Sequence, residues 1–349
     1  MSKRYKPIND SGASGRMPRF NHYVPKFILA NFASSGKICI FDKHSQREFK
    51  LPPYRAMGET DFNNVELGGY VLSFEDRFSA IENKAAPLIK KIIDTKSLHN
   101  LEPMEAAVLH VFLIVQHLRS KIWRLNQDSI ADEIKKRWPD APINPRPDII
   151  KDEQLAKFSA LRGTFDNLDE LTRLLVIKHS YLMIRNCRDE LYTSDSPFVM
   201  HNHKQFGPYG NIGLAVPGIE IYYPLSPDIA VAYCCPSTMK EIEGEQEQLQ
   251  KKIAEFFGKR FLSPSGVGND DLIVLSHMKA ELQRSKADYH LMKDLRLTPM
   301  NAENVLYLNS LQVSSSHRYI AARRPNFPFA RMALREHPHW KQGRRLRVA

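Results

Sequence analysis

Four side chains could do chemistry together: His22, Glu82, Arg119 and Asp195. Two carboxylates, Glu82 and Asp195, could hold a divalent cation such as Mg²⁺ or Mn²⁺, with His22 as base or ligand. Arg119 could stabilise charge developing on a phosphate. Over residues 76–94 the helical period places Phe78, Ile81, Ala85, Leu88, Ile89, Ile92 and Ile93 on one face, and Glu82 falls inside that apolar stripe. A buried carboxylate requires a cation, a hydrogen-bond network, a metal or a raised pKa. Over residues 103–126 Arg119 likewise sits amid apolar positions, and an arginine cannot shed its charge.

Each candidate has a structural alternative. Glu82 and Arg119 could pair with each other, or with Asp195, as an ion pair whose desolvation offsets most of its Coulomb gain. Asp195 stands in Ser194-Asp195-Ser196-Pro197, where it could face a cleft or bond the backbone N–H groups of a turn. His22 precedes Tyr23-Val24-Pro25, at the point where the chain enters the core, and could simply bond backbone. Asn31 could cap its own segment.

Other chemistries find little support. There is no Gly-x-Ser-x-Gly elbow and no His-Glu-x-x-His. Cys39, Cys187, Cys234 and Cys235 form neither a Cys-x-x-Cys pair nor a disulfide framework, which fits a reducing cytoplasm. His110 and His117 share a helix face with Lys121 and Arg124, which reads as solvated. His201-x-His203 has no carboxylate nearby in sequence and is a weak metal signal.

The elements that must position these residues are α+β: a helical middle packed with mixed or antiparallel sheet, opened by an N-terminal β-hairpin. Residues 38–42 and 47–51 form the hairpin. Helices are expected over 76–94, 103–126, 127–138, 152–160, 166–180, 237–258, 278–293 and 301–312. Hairpins are expected from 181–185 with 191–193, and from 219–223 with 229–234, and short strands near 271–275 and 319–322. The division expected is a flexible basic arm over 1–18, one domain over 19–322 (helical lobe about 76–180, mixed part about 181–322), and a basic tail over 323–349.

Several segments, in order, carry a resemblance across about residues 20–322. They are His22-Tyr23-Val24-Pro25-Lys26-Phe27, Ile38–Asp42, Glu82, Gln116 with Arg119, Thr193-Ser194-Asp195-Ser196-Pro197-Phe198, Tyr223-Pro224-Leu225-Ser226-Pro227, Leu308–Gln312 and Arg318-Tyr319-Ile320. Together they resemble the landmarks of a bacterial family known as domain of unknown function 4238. The resemblance implies an architecture and supplies no mechanism. The basic stretch beyond 322 departs from it.

Charge and length bound the remaining readings. A chain of 349 residues, 42% hydrophobic, can bury a sizeable core, and no apolar run is long enough to cross a bilayer. The net charge of +11 is concentrated at the ends: residues 1–26 carry six Lys and Arg against Asp10, and 318–349 carry nine against Glu336. Such ends attract polyanions, so Arg323, Arg324, Lys341, Arg344, Arg345 and Arg347 are candidate nucleic-acid contacts. The aromatics among them, Phe327, Phe329 and Trp340, could stack on bases or anchor the tail on the domain. Two functions fit: a metal-dependent nuclease or phosphodiesterase acting on nucleic acid, or a non-enzymatic module binding nucleic acid or protein through its basic ends. Phage defence or a toxin–antitoxin pair is a setting for either.

Overall fold

The computed structural model describes residues 20–67, 70–137, 153–206, 210–261 and 268–343. Expectations for the arm over 1–18 and for Arg344, Arg345 and Arg347 lie outside these residues. The fold is α+β. In chain order the elements begin β1 (Phe20–His22), α1 (Lys26–Asn31), β2 (Ile38–Asp42), β3 (Glu48–Leu51), β4 (Gly58–Thr60), β5 (Asn64–Leu67) and β6 (Tyr70–Ser73). Among the described residues, the helices α2 (Glu75–Thr95), α3 (Pro103–Leu118), α4 (Lys121–Arg137), α5 (Glu153–Asp166) and α6 (Leu168–Val176) follow. Then come β7 (His179–Arg185), β8 (Thr193–Ser194), β9 (Val199–His201), β10 (Glu220–Ser226) and β11 (Ile229–Cys234). The chain closes with α7 (Pro236–Phe261), α8 (Asn269–Lys293), β12 (Leu297–Met300), α9 (Ala302–Ser315), β13 (Tyr319–Ala322) and α10 (Pro328–Glu336).

Two sheets organise the molecule. The larger runs β12-β7-β11-β10-β9, antiparallel except for the parallel β12–β7 edge. Its strands alternate faces. Ile221, Tyr223, Leu225, Val231 and Tyr233 pack into the main core with α1, α2 and α3. Tyr222, Ala230, Ala232 and Cys234 enter a second core with Tyr181, Met300 and Leu308. The smaller sheet, β3-β2-β13-β8, is antiparallel throughout.

The expected hairpins over 38–51 and 219–234 form as β2–β3 and β10–β11. That expected between 181–185 and 191–193 does not: β7 lies between β11 and β12, while β8 joins β13 in the other sheet. Long-range partners satisfy both strands, so the short connection carries no ladder. The expected strand near 271–275 is the first turn of α8. Asp270 and Asp271 favour its N-terminus, and the Asp271 carboxylate accepts the Gly268 N–H at 3.1 Å. Nor is 103–126 a single helix. α3 starts on a capping box between Glu102 and Glu105 with Pro103 in the first turn, and it stops at Arg119-Ser120 before α4.

The segment beyond 322 folds onto the smaller sheet through residue 343. Phe327, Ala330, Ala333 and Leu334 join Phe41 and Ile320 in a third core. Phe327 stacks 5.5 Å from Phe41 and lies 5.5 Å from Tyr192. Anchoring on the domain is therefore what these aromatics do.

Candidate functional site

Two polar networks collect most of the singled-out residues. The first grows from α2 and α3. Phe78, Ala85, Leu88, Ile89 and Ile92 of α2 are buried, and Glu82 extends from the same face. Its Oε1 lies 2.5 Å from Arg119 Nη1, with the Arg119 side chain 1% exposed and that of Glu82 23% exposed. Arg119 Nε donates to the Tyr23 carbonyl at 3.1 Å, and the guanidinium lies over the Phe78 ring at 5.4 Å. With its amide oxygen turned to the guanidinium, Gln116 accepts from Nε and Nη2 at 3.2 Å each. A terminal atom of Gln116 also lies 3.5 Å from the Tyr223 hydroxyl on β10. The guanidinium is thus satisfied on every side by residues from β1–α1, α2 and α3.

His22 borders this network. Its Nε2 lies 3.2 Å from the Tyr54 carbonyl. A carbonyl only accepts, so Nε2 carries the proton and Nδ1 keeps the lone pair. Burial first, then the charge of Lys26, pulls its pKa down to about 4, with Arg119 adding to the effect and Glu82 opposing it. The imidazole is neutral at physiological pH: a weak base, and a competent metal ligand.

Asp195 belongs to the second network. It is buried, its Oδ1 accepting the His317 N–H at 2.7 Å and its Oδ2 those of Arg318 and Tyr319 at 2.6 and 2.8 Å. The turn it bonds is therefore not its own but the distant one joining α9 to β13. Burial raises its carboxyl, against the pull of these N–H groups and the Lys43 charge. The buried Lys43 ammonium donates to the carbonyls of Val313, Ser316 and Trp340 at 2.8, 2.5 and 2.6 Å, closing the C-terminus of α9. Ser194 donates to Gln312 at 2.6 Å, Gln312 to the Pro197 carbonyl at 3.0 Å, and the Tyr192 N–H to Asn309 at 2.7 Å. Burial would raise the Asp42 carboxyl, but the two-pronged contact from Arg318, helped by Ser45 and His44, holds it down at about 2.

Tyr23 stands between the networks. Its carbonyl serves Arg119, while burial and the charge of Asp195 raise its phenol. The structure thus brings His22, Glu82 and Arg119 together and places Asp195 in the neighbouring network. A cavity of about 420 Å³ lies alongside both, lined by Ser120, Ser196, His117, Trp123 and Phe198 among others. None of the four candidates lines it, whereas the chain neighbours of Arg119 and Asp195 do. His117 is not on a solvated face: it lies between Trp123 at 4.6 Å and Phe198 at 4.8 Å, and burial lowers its pKa to about 4. His110 is also largely buried, against Tyr233 at 5.6 Å, and its pKa is lowered to about 4 as well. Asn31 does not cap its own segment but donates to the Leu225 carbonyl on β10 at 2.9 Å.

Among the described residues, one group of three His, Cys, Asp or Glu side chains has ligand atoms within 4.8 Å of one another, namely His201, His203 and Glu220. Neither Glu82 nor Asp195 belongs to it. Glu220 escaped the sequence reading because it reaches the histidines only through strand pairing. Of the expected nucleic-acid contacts, Arg323 meets Asp228 at 2.6 Å and Glu190 at 3.5 Å, and Arg324 meets Glu190 at 3.7 Å. Lys341 lies in a short 3-10 turn over Pro338–Gln342. No described helix is long and apolar enough to cross a membrane.

No curated protein and no solved structure matches the chain. A family model described as "Protein of unknown function (DUF4238)" matches residues 21–326, a span that holds both polar networks except for the Trp340 carbonyl. The chain belongs to that family.

Proposed function

We propose that the protein is a metal-dependent phosphodiesterase acting on nucleic acid. The observation that carries this reading is the cavity of about 420 Å³ beside Arg119-Ser120 and Asp195-Ser196. Its volume is in the usual range for a ligand pocket, and its aromatic rim of His117, Trp123 and Phe198 suits a stacked base. The net charge of +11 favours an anionic substrate. Glu82, whose side chain is 23% exposed, is the carboxylate that would meet a Mg²⁺ or Mn²⁺ ion, and His22 offers Nδ1 to Mn²⁺. Asp195 has its oxygens engaged by three backbone N–H groups, so in this reading it positions the loop after α9.

The test is cleavage of plasmid DNA, single-stranded DNA and bulk tRNA by the purified chain, with Mg²⁺, with Mn²⁺ and with chelator. Cleavage that needs metal and is lost in folded Glu82→Gln and Trp123→Ala variants is the expected result. Salt-sensitive binding without cleavage would replace this reading with the non-enzymatic module. The pairing of Arg323 and Arg324 with acidic side chains leaves that module fewer free cations than the sequence implies.

A further inference from the structure

We infer that His201, His203 and Glu220 form a binding site for one zinc-like divalent ion, on the face of the larger sheet opposite the Glu82–Arg119 network. The inference stands on its own geometry and does not depend on the phosphodiesterase reading.

Strand pairing builds the site. Glu220, the first residue of β10, lies directly opposite His201, the last residue of β9. His203 follows two residues on, and the two imidazole centroids are 4.5 Å apart. Glu220 Oε2 is 3.8 Å from His201 Nδ1 and 3.5 Å from His203 Nε2. A tetrahedral ion with bonds of about 2.0–2.2 Å needs ligand atoms roughly 3.3–3.6 Å apart, so small rotations of the rings close the site. Two imidazoles and one carboxylate with a further position open is the donor set of hydrolytic zinc rather than of Mg²⁺ or Ca²⁺, which take oxygen ligands.

The surroundings hold these ligands in place. Asn202, between the histidines, is buried and donates to the Pro217 carbonyl at 2.9 Å, tying their segment to the chain that leads into β10. Gly218 permits that approach: its φ is +80°, and a Cβ there would meet Asn202 Oδ1 at 3.0 Å. The Tyr222 hydroxyl donates to Glu220 Oε2 at 3.0 Å, an outer-shell bond of the kind that orients a ligating carboxylate. Tyr307, from α9, places its hydroxyl 2.7 Å from His201 Nδ1. An ion taking that lone pair would free the phenol to hydrogen-bond the ion's remaining ligand.

Charge gives a second, independent reason. The Glu220 side chain is only 16% exposed, and its ionic neighbours among the described residues are the two histidines. The nearby Lys204 pairs with Glu241 instead. A mostly buried carboxylate facing two imidazoles lacks a fixed cation, and a divalent ion supplies one. The His203 side chain, 71% exposed, leaves a route from solvent.

The full chain, stripped with chelator, would be titrated with Zn²⁺ and with Co²⁺, following bound metal by elemental analysis and Co²⁺ ligation by visible absorption. One equivalent per chain is expected, with a rise in Tm on Zn²⁺ addition. His203→Asn and Glu220→Gln should each weaken binding at least about tenfold, while Cys187→Ser leaves it unchanged. Because the His203 side chain is exposed, its variant reads the site even where Glu220→Gln perturbs the fold. Absence of stoichiometric binding, or equal affinity in wild type and His203→Asn, would overturn the inference.

Discussion

Arg119 shows what a charge that cannot titrate demands of a fold. Its guanidinium is 1% exposed and has Glu82, the Tyr23 carbonyl and Gln116 as partners. Glu82→Gln would leave that charge without its counterion, and such losses are worth up to about 3–5 kcal/mol in fully buried pairs. Because Glu82 is partly solvated, about 2 kcal/mol is expected here, measured by urea denaturation. A change below about 0.5 kcal/mol would show that the pair adds no stability. Asp195→Asn tests the other network. One amide nitrogen would then face a backbone N–H where an oxygen accepted, so a loss of about 3 kcal/mol is expected in the same assay. If that variant keeps wild-type stability, the anchoring role assigned to Asp195 fails.

At the scale of an element, α3 carries two histidines that the fold keeps neutral. Burial holds His117 and His110 near pKa 4, with the charge of Arg296 adding to the effect at His110, against 6.5 in the unfolded chain. Between those values the unfolded state binds protons that the folded state refuses. The stability is therefore complete above about pH 6.5 and declines as pH falls toward 4, by at most on the order of 3 kcal/mol for each residue. Urea midpoints should drop between pH 6.5 and 5, before most carboxylates titrate. The His117→Gln variant, though less stable at pH 7, should show a shallower drop over that interval. Identical slopes in the two proteins would remove His117 as the cause.

Across the whole molecule, the basic C-terminal stretch is part of the fold through residue 343. Residues 323–343 supply Phe327, Ala330, Ala333 and Leu334 to a core, and the Trp340 carbonyl to Lys43. Deleting 323–349 should therefore lower Tm by many degrees. Deleting only 344–349 removes Arg344, Arg345 and Arg347 and leaves that core's residues in place. If those three cations contact phosphates, the slope of log K against log salt for duplex DNA falls by about 3. An unchanged slope, measured by fluorescence anisotropy, would show that they make no such contacts.

Features set by neighbours a few residues apart were legible in the sequence. The α2 stripe exposed the predicament of Glu82, and the short turns of β2–β3 and β10–β11 declared their hairpins. Arg119 was legible as a charge in need of a partner because its chemistry leaves no alternative. Which partner it took was a tertiary decision, as was the removal of Asp195 to a turn more than 120 residues away. The half-buried setting of His117 likewise depends on packing against Trp123 and Phe198. Glu220 and His201 are joined by register alone: a slip of one residue would send Glu220 to the opposite face of the sheet. Local periodicity fixes what each side chain requires, whereas long-range pairing, whose contacts the sequence does not order, chooses what supplies it.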